Sequence, residues 1–381
     1  MTRFKIVIIQ LARLGDLAQA WPLISRCLAG AGQGRVGLVV DERVSALAEL
    51  MVGKGNILSV PVEAIQRTIL DNSNGFANRI LQLNCELVEF STEYALNLNF
   101  HNASAALLEA LPTATARLGA RLKDIKAEVP SDAVLFELFT SSQGLRQNGR
   151  HISDIWLDYA QDSQDRRELI FLTIPAEAQD KIDALFNRLG WRTSTNPVVI
   201  LPGSGQSGRI WPERYFAEVV RNLKSDTPVV FAGSKFESDT VERINKSAGS
   251  VIPGANFCGE TTLPELAALL QRARLVVGVD TGPLHLAAMA GAKCLGLYFG
   301  SMFYRQTGPY GDGHLVLIPQ RRDYPCCEAE MARHPTQFEA DLLPEDLMQT
   351  MNLRVFQNKA PNLKSARLLC SSLHKNGLDW T

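Results

Sequence analysis

The sequence predicts an α/β protein built from two doubly wound parallel-sheet halves in series. Three observations carry that expectation. Short, continuously apolar strands alternate with helical stretches, the pattern of a parallel sheet covered on both faces. The alternation stops once, at the polar interval 140–150 (TSSQGLRQNGR), and restarts near residues 165–175. At 381 residues the chain also exceeds what one ordinary core holds.

In the first half the strand KIVII runs through 11–16 (LARLGD) into a helical stretch ending near Gly30. The strand 36–40 and a helix to about Met51 follow, then a short strand at 57–60 and a helix around 78–89. The strand 94–98 feeds a helix over 103–111, and 151–161 reads as the last helix of this half. A helix around 176–189 opens the second half and precedes the strand and glycine-rich turn 197–205 (PVVILPGSG). Trp211-Pro212-Glu213 then starts a helix, with proline near the first turn, where its missing N–H does no harm. The strand 228–234 (PVVFAGS) and another helix repeat the pattern. Thr262 and Glu265 satisfy a T-x-x-E capping box before 266–273. The predicted domains are therefore 1–168 and 169–340, with 341–381 as a C-terminal helix and polar tail that reads as poorly ordered.

A net charge of −1, with 46% hydrophobic and 21% charged residues, is that of a globular protein. It excludes a general nucleic-acid binder, which needs a basic excess. Seven cysteines are scattered without disulfide-framework spacing, so a reducing cytoplasm is expected. Cys326, Cys327 and His334 lack C-x₂-C spacing and read as ordinary residues, so no metal site is expected. The run 6–12 (IVIIQLA) is too short to span a membrane and is followed by no small-residue cleavage site.

Chemistry concentrates in three turns at strand ends, and the segment 275–300 (LVVGVDTGPLHLAAMAGAKCLGLYFG) is the most informative. It reads as strand, sharp turn, helix start and second strand. Ligands of parallel α/β sheets sit outside the carboxyl ends of strands, and a helix N-terminus attracts phosphate. Thr281 adds a hydroxyl there, Gly282 admits close approach, and His285 sits on the first helical turn. The ordinary alternative is helix capping by Asp280 or Thr281. In the second turn, 202–212 (PGSGQSGRIWP), Ser204 and Gly205 offer donors and Arg209 can hold phosphate bidentately. The spacing is neither a P-loop nor G-x-G-x-x-G, so a loop with a solvated arginine is the alternative. In the third turn, Asp16 follows Gly15 at the mouth of the leading strand. A carboxylate there can remove a proton from an attacking hydroxyl, or can simply cap the helix.

Taken together, LGD after the first strand, PGSG…RIWP, and VDTGPLHLAA followed by TGPYG (Thr307 to Gly311) resemble family 9 glycosyltransferases, the bacterial ADP-heptose heptosyltransferases. The match is collinear over about residues 4–317. The resemblance implies a GT-B architecture: two Rossmann-like domains facing across a cleft, acceptor on the first and nucleotide sugar on the second. It implies inverting, metal-independent transfer of a heptose or related sugar from ADP-heptose to a lipopolysaccharide-core hydroxyl, with no cofactor.

Position by position, Asp16 matches the family's general base. Arg209 falls where the family usually has a lysine on the donor diphosphate. Asp280, Thr281, Gly282 and His285 match the segment that contacts diphosphate and sugar. Ser204, with Gly205, falls in the loop lining the phosphates; Thr261 joins this donor-binding set, and Arg13 lies on the acceptor side. Two departures stand out. Lys235 follows Gly233-Ser234 where some members have an acidic residue near the nucleoside. Ala12-Arg13 stands where relatives often have serines. The implied partners are an ADP-linked sugar and a lipid-linked oligosaccharide, with peripheral contact at the inner face of the inner membrane. A protein or other glycan acceptor, and a non-catalytic nucleotide-sugar-binding protein, are the competing readings. An NAD dehydrogenase is disfavoured, because LARLGD is a poor glycine fingerprint despite Asp41 and Glu42.

Overall fold

A computed structural model describes residues 2–63, 83, 85–123, 126–128, 149–160, 165, 168–223, 226–249, 255–321, 324–325, 341–355, 363–375 and 377–381. The polar interval at 140–148 lies outside the described residues. So do residues 64–82 and 129–148, and so do Cys326, Cys327 and His334. Of the helix expected over 78–89, Leu83 and residues 85–89 are described; 83 and 85–88 are helical and Glu89 lies in a turn. The chain divides into two compact units, Met1–Ser163 and Gln164–Thr381.

The first unit is a five-stranded parallel sheet: β1 (Phe4–Gln10), β2 (Val36–Asp41), β3 (Ile57–Val60), β4 (Thr92–Asn97) and β5 (Thr113–Leu118). Their order is β3-β2-β1-β4-β5, so β1 and β4, not neighbours in sequence, lie side by side at the sheet's switch point. Val7, Ile8 and Ile9 on β1 are fully buried, as expected of a strand covered on both faces. β6 (Arg121–Lys123) and β7 (Lys126–Glu128) form a separate hairpin. The helices are α1 (Leu14–Gln19), α2 (Trp21–Ala31), α3 (Ser45–Val52), α4 (Asn102–Ala110) and α5 (Ile152–Tyr159). The helical stretch expected up to Gly30 is thus two helices. Pro22 in the first turn of α2 supplies no N–H to continue the α1 ladder, and the chain restarts at Ala20.

The second unit holds an eight-stranded sheet in the order β10-β9-β8-β11-β12-β13-β14-β15. Its strands are β8 (Val198–Leu201), β9 (Val229–Phe231), β10 (Ala255–Asn256), β11 (Leu275–Val279), β12 (Cys294–Leu297), β13 (Leu315–Pro319), β14 (Ala366–His374) and β15 (Gly377–Trp380). The strands from β8 to β13 pair in parallel, and β14 and β15 add on in antiparallel fashion. The helices are α6 (Ala176–Arg188), α7 (Glu213–Asn222), α8 (Ser238–Ala248), α9 (Leu263–Arg272), α10 (Gly282–Met289), α11 (Tyr304–Thr307) and α12 (Pro344–Val355). α7 shows why these segments dock: Phe216, Ala217, Val219 and Val220 share one buried face. Burying Phe216 alone stabilises by about 1.5–3 kcal/mol. The capping box of α9 forms as its spacing predicts, with Thr262 Oγ1 accepting from the Glu265 N–H and the Glu265 carboxylate accepting from the Thr262 N–H.

The C-terminal stretch differs from a disordered tail. Ala366–His374 and Gly377–Trp380 are the paired strands β14 and β15, with β14 held to β13 over the register Leu315↔Cys370 to Pro319↔Ala366. Leu368, Leu369, Leu373 and Trp380 supply the apolar side chains that a purely polar tail lacks. Among the described residues no helix is long and apolar enough to cross a membrane.

Candidate functional site

The second unit concentrates the predicted donor-side residues at its switch point, where β8 and β11 are adjacent. Loops after β8, β9 and β11 enclose a recess of about 180 Å³. That is below the roughly 300–1,000 Å³ of a drug-sized ligand pocket, so it suits one portion of a nucleotide sugar. Gly203, Ser204 and Gly205 line it from the first loop, Ala232 to Ser234 and Glu237 from the second, and Thr281 and Pro283 from the third.

Thr281 is the N-cap residue of α10, but its hydroxyl makes no capping hydrogen bond. Its place on the recess wall is therefore not explained by capping. The backbone does the local work instead, with the Leu284 N–H donating to the Thr281 carbonyl at 3.0 Å. Gly282 opens the helix and Pro283 follows it, so the first turn presents little beyond backbone.

Behind this wall Asp280 is the centre of a polar cluster. It is 9% exposed, and its carboxylate is reached from three separate elements. Arg209 Nη1 lies 3.4 Å from Oδ2, Thr307 Oγ1 donates to Oδ2 at 3.1 Å, and His285 Nε2 lies 3.2 Å from Oδ1. The last contact is a hydrogen bond when Nε2 carries the ring proton, and that tautomer is assigned from the geometry. His285 Nδ1 is buried and makes no hydrogen bond among the described residues. A proton there would be left unsatisfied, which favours the Nε2-protonated ring. Asp280 thus neither caps α10 nor stands open to an anion. It ties the arginine of one loop, the histidine of α10 and the threonine of the 307–311 segment into a single unit.

Glu237 is the residue that sequence reasoning missed. It closes a short 3₁₀ turn, Lys235–Glu237, after β9. Ser234 Oγ donates to its Oε2 at 2.6 Å. A Cβ on Gly203 would come within 2.5 Å of Glu237 Oε1, and one on Gly233 within 3.1 Å of Oε2. The two glycines are what allow a carboxylate to sit between the ends of β8 and β9. An acidic residue is thus present near the family's expected position, two places beyond Lys235. Its signal was available: in doubly wound sheets an acidic residue after the second strand reads ribose hydroxyls next to a glycine-rich first turn.

Cys258 lies beside this carboxylate. It is buried, and burial together with the neighbouring Glu237 charge pushes its thiol up to about 12. The thiol therefore stays protonated at neutral and mildly alkaline pH, and only the thiolate is a strong nucleophile. Iodoacetamide at pH 8 is expected to label the exposed Cys85 and to spare Cys258, read by peptide mass spectrometry; prompt labelling of Cys258 would refute that burial.

Thr261 stands one residue before the cap of α9 and is not among the residues lining the recess. Asp16 and Arg13 belong to the first unit. There Arg13 is the N-cap of α1 and Asp16 its third residue, with Asp16 Oδ2 accepting from the Arg13 N–H at 3.2 Å. Helix capping by Asp16 is thus present in the structure. The loop that carries it is fixed by a buried amide pair: Asn99 Oδ1 accepts from the Leu11 N–H at 2.7 Å, and Asn99 Nδ2 donates to Gln10 Oε1 at 2.5 Å. Asp16 consequently sits beyond β1, beside the β1–β4 switch point of its own sheet.

The sequence profile of glycosyltransferase family 9 (heptosyltransferase) matches residues 136–336, more than half of the chain. Lipopolysaccharide heptosyltransferase 3 of Escherichia coli is 31% identical over 105 residues, 27% of this chain and 31% of that protein. Lipooligosaccharide heptosyltransferase 2 of Campylobacter jejuni is 26% identical over 167 residues, 43% of this chain and 52% of that protein. The matched stretches thus span at most about half the length of these curated relatives. Among solved structures, the E. coli ADP-heptose lipopolysaccharide heptosyltransferase II superposes with a TM-score of 0.63 at 16% identity, covering 92% of this chain and 98% of that one. That likeness establishes the fold, the two-domain GT-B class. With its sequence profile, its fold and its strand-end motifs all in agreement, this chain belongs to glycosyltransferase family 9, the heptosyltransferase family.

Proposed function

We propose that the protein is an inverting, metal-independent glycosyltransferase that moves a heptose or related sugar from ADP-heptose to a hydroxyl of a lipopolysaccharide-core acceptor. The observation that carries this reading is the recess at the second unit's switch point, with a carboxylate on one wall and a threonine hydroxyl on the other. Glu237 accepts hydrogen bonds from the ribose hydroxyls, as its place after the second strand suggests. Ser204, Gly205 and Thr281 face the diphosphate, and Arg209, held through Asp280, faces the same charge.

The transfer is a single displacement at the anomeric carbon. Asp16 takes the proton from the acceptor hydroxyl as its oxygen forms the new glycosidic bond, and the bond to the diphosphate breaks. Negative charge grows on the departing diphosphate. Arg209, the Thr281 hydroxyl and the positive end of α10 stabilise it, and preorganised groups of this kind supply much of an enzyme's rate. The acceptor is bound by the first unit, with Arg13 beside Asp16. A lipid-linked acceptor brings the protein to the inner face of the inner membrane as a peripheral contact, which vesicle flotation checks.

Calorimetric titration of the full chain with ADP, UDP and GDP tests the donor reading. ADP is expected to bind, and Glu237→Gln to weaken it by about tenfold, the loss of one charge-assisted hydrogen bond. Equal affinity for all three nucleotides would refute the adenine preference. An unchanged affinity in Glu237→Gln would remove the ribose contact.

A further inference from the structure

The β14–β15 hairpin grips the segment between α11 and β13 at two places. At one end Trp380, only 4% exposed, packs the edge of its indole on Tyr304, with ring centroids 5.8 Å apart at 86°. The same indole lies so close to Gly308 that any side chain there would collide with it. Arg305 Nη1, 3.4 Å from Asp379 Oδ1, adds an exposed ion pair across this contact. At the other end β14 holds residues 312–314. The Gly313 N–H donates to the Ser371 carbonyl at 2.9 Å, the His314 N–H to Ser371 Oγ at 2.8 Å, and the Leu373 N–H to Asp312 Oδ1.

Within the first of these grips sits Thr307. Its carbonyl accepts from the Tyr298 hydroxyl at 2.8 Å, and its own hydroxyl donates to Asp280. A continuous set of contacts therefore runs from Trp380 through Tyr304 and Gly308 to Thr307, and on to the carboxylate that holds Arg209 and His285. The first turn of α11 is short, and Tyr304 and Gly308 bracket it through one hydrogen bond, from the Gly308 N–H to the Tyr304 carbonyl at 2.7 Å. Thr307 ends this turn; its N–H donates to the Phe303 carbonyl at 3.1 Å, and that carbonyl also lies 3.3 Å from its hydroxyl.

We propose that Trp380 is a positioning residue for the donor site, fixing the Thr307–Asp280 hydrogen bond from a strand that touches no substrate. The inference rests on the reading of the Asp280 cluster as the donor-diphosphate site. It assigns the C-terminal hairpin a role in function and makes diphosphate affinity depend on an indole outside the doubly wound core. Glu237, the ribose contact, lies on a different wall and does not depend on the hairpin, so a nucleoside monophosphate feels the loss much less than a diphosphate does.

The test uses the full chain with Trp380→Ala, Trp380→Leu, Trp380→Phe, Thr307→Val and the double variant Trp380→Ala/Thr307→Val, each titrated with ADP and with AMP. Trp380→Ala is expected to lose about tenfold or more in ADP affinity and less than about threefold in AMP affinity. Trp380→Leu, which keeps most of the buried volume should the alanine variant fail to fold, shows a smaller loss with the same selectivity. Trp380→Phe, which restores a ring against Tyr304, recovers ADP binding. In the double variant the loss equals that of Thr307→Val alone, because both changes break the same link. Equal losses for ADP and AMP, additive losses in the double variant, or wild-type ADP affinity in both Trp380→Ala and Trp380→Leu would each overturn the proposal. Failure of the unaltered protein to bind any nucleoside diphosphate overturns the donor reading itself and this inference with it, and it shows before any substitution is made.

Discussion

Asparagine in place of Asp16 is expected to lower kcat by about 10²- to 10⁴-fold, the usual contribution of a positioned general base, while ADP affinity stays within a factor of about two. The choice of asparagine follows from the structure. Asp16 Oδ2 already accepts the Arg13 N–H at the start of α1, so alanine removes a cap as well as a base. Losing such a cap costs about 0.5–2 kcal/mol. Asparagine keeps a side-chain oxygen for that N–H but cannot take a proton from the acceptor. Asp16→Asn and Asp16→Ala are therefore expected to be equally poor in turnover and unequal in stability. Steady-state kinetics and urea unfolding of both variants separate the two roles. Full activity in Asp16→Asn, with a loss of stability only in Asp16→Ala, would leave Asp16 a capping residue and nothing more.

Alanine at Asp280 is expected to give the largest combined loss. The carboxylate serves three partners from three elements; the buried His285 Nε2 would lose the acceptor it is aimed at, while Thr307 Oγ1 still has the Phe303 carbonyl at 3.3 Å. Each buried donor left without a partner costs about 1–3 kcal/mol. A domain of this size loses about 2–4 °C in Tm for every kcal/mol. Arg209 would at the same time lose the contact that orients it, so ADP affinity and kcat both fall, by about tenfold or more for each charge-assisted hydrogen bond disturbed. Asp280→Asn keeps an oxygen for Thr307 but not the charge opposite Arg209. It is expected to retain most of the stability and to show the binding defect. Calorimetry with ADP beside thermal unfolding reads both. Wild-type affinity in Asp280→Ala would show that the cluster is structural and does not organise the donor site.

Much of this protein was written in local patterns. The apolar strands, the Thr262/Glu265 capping box and the proline at the start of α10 are features of a few adjacent residues, and each formed where its spacing placed it. Other elements depended on distant partners. The strand at 366–374 has no strong alternation, and it becomes a strand because β13 offers it an edge. Likewise, the break at Ala20 falls inside a stretch whose helical pattern reads as continuous, although Pro22 stands just beyond it.

The candidate site shows the same division. Strand-end turns rich in glycine, with Thr281, Ser204 and Arg209 beside them, were visible because the chemistry of anion binding uses recognisable residue types at helix starts. That Arg209 is held by Asp280 was not visible, because 71 residues separate them and no periodicity links the two. Glu237 takes its place from Gly203 and Gly233, which make room for its carboxylate only once β8 and β9 lie side by side. Trp380 read as part of a tail until its indole was found against Gly308. Residue types and short-range spacing are inherited from neighbours along the chain, so they announced the α/β class, the three turns and the family. Which carboxylate braces which cation is set by strand order, and strand order emerges only when segments far apart in the chain pack into one sheet.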